Sequence, residues 1–357
     1  MKITSKKIFI YDKEIQKKYI LDIINLIEKF KNKAEFILEK GWSHGLHINL
    51  GYTKFTNDYD EKVFLEKLER LNSSYIWRYS NHSKVDYKLY EEYVIRLKKI
   101  EKISDEVLPL EEQFSVKTGP YKLNRIVYND DFVEDKLLAT RLLVLFYKEY
   151  YHSSPEVRSL LLVKIMIILT NLTNFGPDFS ERKGVFLAYY SFKSHVEGFK
   201  KSFDSFPNEK KSKLNAKIEY LTKEEEKFIN FGFENFLMST TDFDKCKKLV
   251  AIVEKTFSEQ ITMGEVKFNG DYLMSNYLAN DEDLSNYHTK LKSIADLEMF
   301  LQKEFVLGRC MLNWFYSILP MFAVSPLERH RLCNIIVKCV EGYRNKNWEE
   351  LLIDFFS

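Results

Sequence analysis

Apolar residues recur along the chain at two periods, and the first third switches between them. Lys7 to Tyr11 reads as a short strand, and Lys13 to Phe30 as a helix carrying Ile20, Ile23, Ile24 and Ile27 at helical spacing. Ala34 to Leu38 and Leu46 to Tyr52 read as two strands joined by the turn Lys40-Gly41-Trp42-Ser43-His44-Gly45. Asn57 or Asp58 can cap a helix that runs to about Leu71. Strand, helix, strand and strand in that order predict a sheet covered by helices.

From about Asp131 onward the helical period takes over. The predicted helices are Phe132 to Tyr150, Pro155 to Leu172, Val185 to Phe203, Leu221 to Met238 and Phe243 to Phe257. Leu284 to Phe305, Leu307 to Leu319, Pro326 to Tyr343 and Trp348 to Phe356 follow, with Pro320 and Pro326 bracketing a short break. The fold class is therefore α+β: an N-terminal mixed or antiparallel sheet covered by helices, then a predominantly helical two-thirds. Neither an internal repeat nor a low-complexity linker interrupts it. We expect one integrated body over residues 1–357, with the sheet in 1–130 and the mainly helical part in 131–357.

Composition narrows the function classes. Hydrophobic residues make up 45% of the 357 residues and charged residues 30%, enough to bury a core and exclude disorder. Only 12 Gly and 7 Pro argue against a turn-dense all-β chain. With 28 Phe and 22 Tyr, aromatic rings can fill a core or line a groove for a ligand with apolar and aromatic parts. A formal net charge of +2 gives no general field for polyanions, so nucleic acid is not an expected partner. The mixed runs Lys210 to Lys213 and Glu224 to Glu226 read as a solvated helix face. Cys246, Cys310, Cys333 and Cys339 form no CxxC pair, which fits free thiols in a reducing cytoplasm. The N-terminus lacks the apolar core of a signal peptide. Leu160 to Leu169, broken by Lys164, is far short of the roughly 20 residues of a membrane span and reads as a buried helix.

The general catalogue of cofactor motifs is empty: no GxxxxGK[ST], GxGxxG, HExxH or EF-hand loop occurs. Three clusters remain. Gly41-Trp42-Ser43-His44-Gly45-Leu46-His47-Ile48-Asn49 places an indole and two imidazoles within six residues. No nearby carboxylate or cysteine completes a metal set around His44 and His47, so neither a metal nor any other cofactor is expected. The alternative is a hairpin with one histidine entering a strand.

The second cluster, Tyr189-Tyr190-Ser191-Phe192-Lys193-Ser194-His195, lies on a predicted helix. Ser191 and His195 share one face and Tyr190 and Ser194 the adjacent stripe, a set of proton donors and acceptors. Otherwise it is an amphipathic helix packing Phe192, Val196 and Phe199. The third, Ser325-Pro326-Leu327-Glu328-Arg329-His330-Arg331-Leu332-Cys333-Asn334, sets His330 and Asn334 on one face near a helix start. There the dipole disfavours protonation and keeps the imidazole available as a base. Ser325 and Glu328 also fit a capping box on a plain surface helix.

Together these clusters resemble the elimination-domain family of lantibiotic dehydratases and thiopeptide-type bacteriocin biosynthesis proteins. The family's aromatic turn and Pro-His-Leu-Arg-Leu-Arg strand correspond to Leu46-His47-Ile48-Asn49-Leu50-Gly51. Its C-terminal His-x-x-Cys-Asn-Arg-like helix corresponds to His330-Arg331-Leu332-Cys333-Asn334-Ile335. In the eliminating members the C-terminal histidine is the base and arginines hold a departing glutamate, which would make His330 the base here. Asn49, Gly51 and Ile335 stand where arginines are expected, and Lys40 is a point charge rather than a bidentate clamp.

Stand-alone pyridine synthases of thiopeptide maturation share the fold family and need positioning and proton shuttling more than charge capture. The resemblance implies a formal aza-(4+2) cycloaddition of two dehydroalanines in a leader-bearing precursor peptide, followed by loss of water and leader. His330 or His195 would move the proton, and Tyr189 or Tyr190 would hydrogen-bond the carbonyl. Ser191 and Ser194 would assist, while Trp42, His44, His47, Asn49 and Asn334 would bind substrate. An exposed sheet edge could dock the leader by strand addition. Other enzymes of the same pathway are further expected partners. Two other readings stay open: a lyase that eliminates glutamate from glutamylated Ser or Thr, and a non-catalytic leader-binding subunit.

Overall fold

The computed structural model describes residues 2–80, 85–100, 104–121, 133–171, 183–204, 207–209, 211–213, 216, 285–294 and 312–356. They fall into two compact units. The first comprises Met1–Ile126, Asp130–His152 and Ser317–Ala323, the second Val127–Asn129, Ser153–Tyr316 and Val324–Ser357.

The first unit is built on four antiparallel strands, β1 (Ile3–Phe9), β2 (Phe36–Gly41), β3 (His47–Thr53) and β4 (Val116–Pro120), in the order β2-β3-β1-β4. Register is fixed by pairs such as Ile8 with Ile48 and Leu38 with Leu50. Every residue of β3 is buried. Its apolar side, Ile48, Leu50 and Tyr52, faces helices α1 (Lys13–Phe30) and α2 (Asp58–Tyr79), where Phe30, Phe36, Tyr52, Phe55 and Phe64 interlock ring to ring. Part of the aromatic excess is thereby core. The other side carries His47, Asn49, Gly51 and Thr53, an alternation that buries polar groups.

Local sequence explains most helix boundaries. The Asp12 carboxylate caps α1 by accepting from the N–H groups of Glu14 and Ile15. Asn57 caps α2 by accepting from Asp60 N–H at 2.8 Å. Replacing Asn57 by alanine is expected to cost about 1 kcal/mol, read as a lower denaturation midpoint. The predicted end near Leu71 is passed by eight residues because Tyr75 is anchored. Its hydroxyl donates to Asp22 at 2.7 Å, and its ring meets Tyr19 edge-on. Helix α3 (Tyr87–Ile100) and β4 were not predicted. Helix α3 buries Val94 and packs the partly exposed rings of Tyr87 and Tyr90 on Tyr11, while β4 is short and exposed and holds Gly119 and Pro120.

Helix α4 (Val133–His152) completes the unit. It runs beside β2, and Thr140 Oγ1 accepts from Leu38 N–H at 2.8 Å, closing that point of the sheet edge. The exposed strand is β4.

The second unit is helical: α5 (Pro155–Asn171), α6 (Lys183–Asp204), α7 (Asn286–Ile294), α8 (Pro326–Arg344) and α9 (Trp348–Phe356). Pro155 opens α5, and Ser325 caps α8 ahead of Pro326 by accepting from Glu328 N–H. The Glu328 carboxylate is taken by Arg331. A reciprocal capping box forms instead at α9, where Asn347 Oδ1 accepts from Glu350 N–H and Glu350 Oε2 from Asn347 N–H. The break between the two prolines opens with a 3-10 turn of the first unit, Leu319–Phe322, closed by Ala323 at φ 58°. The helices predicted at Leu221 to Met238 and Phe243 to Phe257 lie outside the described residues, as do most of Leu284 to Phe305 and the start of Leu307 to Leu319. Among the described residues no helix is long and apolar enough to cross a membrane.

Candidate functional site

In the first unit a polar seam crosses the buried side of the sheet. Glu39 on β2 lies opposite Asn49 on β3, and its Oε1 accepts from Asn49 Nδ2 at 3.1 Å and from the Tyr121 hydroxyl at 2.9 Å. Its Oε2 takes Lys136 Nζ of α4 at 2.7 Å. Ser5 on β1 donates to Asn49 Oδ1. Asn49 is thus held on both ends of its amide.

His47 sits further along the same strand. Its ring lies over Gly41, where a Cβ would come within 2.2 Å of Nε2, so only glycine leaves room. Nδ1 donates to the Gly45 carbonyl at 2.9 Å, which places the proton there and leaves the Nε2 lone pair available. Burial lowers its pKa to about 4.

The loop between β2 and β3 is strained into place. His44 has φ 60° and Gly45 φ 119°, and a Cβ on Gly45 would strike the Tyr11 hydroxyl at 2.1 Å. His44 is pinned by Val107 and Glu111 through its backbone and by the Pro109 carbonyl through Nδ1 at 3.2 Å. Trp42 is half-buried. Lys40 alternates to the opposite side of β2 from Glu39 and Asn49, where burial and the charges of Lys17 and Lys13 lower its pKa to about 8.

In the second unit, helices α6 and α8 pack together and bring the second and third clusters to one seam. His195 of α6 meets the Tyr316 ring at 5.4 Å. The Tyr316 hydroxyl lies 3.2 Å from Cys333 Sγ on α8, and the Arg329 guanidinium stands 5.1 Å over the same ring. One turn along α6, Phe199 stacks on His330 at 4.4 Å.

His330 is 5% exposed, and its Nδ1 is buried with no hydrogen-bond partner among the described residues, as is Arg329 Nε. Burial and then Lys200 lower the His330 pKa to about 4, against the opposing pull of Glu197. The imidazole is neutral at pH 7. Cys333 is sealed, its pKa pushed up to about 12 by burial, so it is no nucleophile.

The neighbours of His195 on α6 are differently placed. Tyr189 is fully buried and donates to Glu341 of α8 at 2.7 Å, with its pKa raised mainly by burial. Tyr190 donates to the Leu351 carbonyl of α9 at 3.2 Å. Both hydroxyls hold helices together. Ser191 is buried, and Ser194 and Asn334 are half-buried. Tyr316 and Arg329 were not singled out from sequence. Arg329 adjoins His330, but Tyr316 carried no local signal among 22 tyrosines.

Two buried histidines have a measurable consequence. Their folded pKa values near 4 lie below the ordinary 6.5, so the unfolded chain takes up protons that the folded one refuses. Stability is expected to fall as pH drops from about 6.5 to about 4, and the histidine contribution is constant above that range. Denaturant midpoints across that range check it, and replacing either histidine should flatten the slope.

No protein-family profile and no curated protein sequence matches the chain. Solved structures do share its fold. The pyridine synthase TbtD, from thiomuracin biosynthesis, superposes with a TM-score of 0.57 at 13% identity, covering 97% of this chain and 99% of that one. TsrL superposes with a TM-score of 0.56 at 9% identity, covering 98% and 97%. The fold is shared from end to end.

Proposed function

We propose that the chain is a peptide-tailoring enzyme that joins two dehydroalanines of a leader-bearing precursor by formal aza-(4+2) cycloaddition. The observation that carries this reading is the end-to-end fold shared with a pyridine synthase. The chemistry of the α6–α8 seam supports it. One dehydroalanine must react as the imidic tautomer of its amide, which requires a proton to leave nitrogen and another to reach oxygen. Neutral His330, with an unpartnered Nδ1, is suited to accept the first. In this reading Arg329, over the Tyr316 ring, and Tyr316 itself would stabilise charge developing on the oxygen, and His195 beside Tyr316 would relay the proton. Loss of water and of the leader then yields the aromatic ring. In this reading Ser191, Ser194 and Asn334 contact substrate, as do Trp42, His44, His47 and Asn49 in the first unit.

A second reading, elimination of glutamate from glutamylated Ser or Thr, is favoured by Arg329. Its Nε is buried in the histidine seam without a partner among the described residues and could hold a departing carboxylate. Incubation with a bis-dehydroalanine, thiazole-bearing precursor and with a glutamylated peptide, each followed by mass spectrometry, separates the two. Release of leader as a separate peptide identifies the synthase, and loss of glutamate the lyase. Tight leader binding with neither product would identify a non-catalytic binding subunit.

A further inference from the structure

Helices α1 and α2 of the first unit run antiparallel, as the contacts of Phe30 with Phe64 and of Asp22 with Tyr75 require. Between them lies an open groove of about 760 Å³. Its walls are two stripes that share one spacing. Asp22, Leu26 and Lys29 recur at i, i+4 and i+7 on α1, and Lys67, Leu71 and Ser74 do the same on α2, continued by Arg78 at i+11. Such stripes are the surface that a third helix lies against.

The charges of this groove are unequal. Asp22 is occupied by the Tyr75 hydroxyl, and Glu28 is paired with Lys148. Lys29, Lys67 and Arg78 have no carboxylate partner among the described residues. Lys67 instead stands over the Phe30 ring. Because α1 and α2 are antiparallel, Lys29, Lys67 and Lys148 gather at one end of the groove and Arg78 lies at the other. Leu26 and Leu71 supply apolar contact between them.

We propose that this groove binds an acidic, helix-forming segment of the peptide substrate. Carboxylates of that segment would meet Lys29, Lys67 and Arg78, and an apolar side chain would lie over Leu26 and Leu71. The inference rests on the peptide-tailoring reading for the identity of the ligand, and it locates recognition away from the histidine seam. It also differs from docking by strand addition, since the groove offers side chains and not free backbone.

The test uses the full-length protein and a fluorescein-labelled synthetic helix of about 20 residues with glutamates every third or fourth position around one leucine. Anisotropy should report binding that K29E/K67E/R78E weakens at least about tenfold, and the milder K67Q/R78Q by less. A peptide with lysine in place of glutamate should bind the charge-reversed variant better than the wild type. Unchanged affinity in both variants overturns the inference. So does equal competition by a heparin fragment of matched charge, which marks a general polyanion surface.

Conversion of a leader-bearing precursor separates this inference from the reading it rests on. The variants should raise the half-saturating precursor concentration and leave maximal turnover unchanged. If the wild type converts precursor and the variants match it at every concentration, the groove fails and the synthase reading stands. If the wild type binds the acidic helix but converts nothing, the synthase reading fails and the groove stands.

Discussion

Replacing His330 by leucine is expected to lower turnover of a bis-dehydroalanine precursor by about 10²- to 10⁴-fold while leaving the denaturation midpoint equal or higher. The two halves come from one observation. His330 is 5% exposed, stacked on Phe199, and its Nδ1 has no hydrogen-bond partner among the described residues. An unpartnered buried nitrogen costs free energy, so a residue kept only for packing would be better as an apolar side chain of similar volume. Leucine removes that cost and the proton acceptor together. The midpoint is read by denaturant titration and turnover by mass spectrometry, with leader affinity as the control. A variant that unfolds more easily, and loses turnover only in proportion to folded protein, would make His330 a packing residue. A variant with full turnover would move the base elsewhere, to His195 first.

The sequence revealed elements where local signals coincide. Helix α1 spans Lys13–Phe30 as predicted because its apolar stripe, its Asp12 cap and its neighbours agree. Helix α9 spans Trp348–Phe356 as predicted for the same reason, with a capping box at its start. Boundaries set by distant contacts were less legible. Strand β1 begins four residues before the predicted Lys7, where Ser5 is buried through its bond to Asn49, 44 residues away. Strand β2 starts and ends two to three residues later than its apolar run because Glu39 belongs to it, held by partners on β3 and α4. The same reason divides the candidate site. His195 and His330 stood out as isolated imidazoles on helix faces. Tyr316, which touches His195 and Cys333 from a third segment, could be found only in three dimensions.

Replacing Lys136 by methionine is expected to destabilise the protein by about 3–5 kcal/mol, the largest stability effect of any single substitution considered. The Lys136 and Glu39 side chains are about 10% and 12% exposed and meet at 2.7 Å, so solvent screens their attraction little. Methionine fills the space of the lysine stem but withdraws the cation from a buried carboxylate. Asn49 and Tyr121 remain as donors to that carboxylate, yet neither supplies charge. Replacing Glu39 by leucine should cost a similar amount, because it strands a buried ammonium and unpairs the Tyr121 hydroxyl and the Asn49 amide. The double variant decides what the pair is for. If the charges merely compensate each other, joining the two substitutions should recover most of the loss, since an apolar pair of similar volume avoids desolvating either ion. What is not recovered measures the polar seam, because Tyr121 and Asn49 lose the acceptor at its centre. A double variant as unstable as the sum of the singles would show that Glu39 organises the buried side of β3, and with it the strand that carries His47.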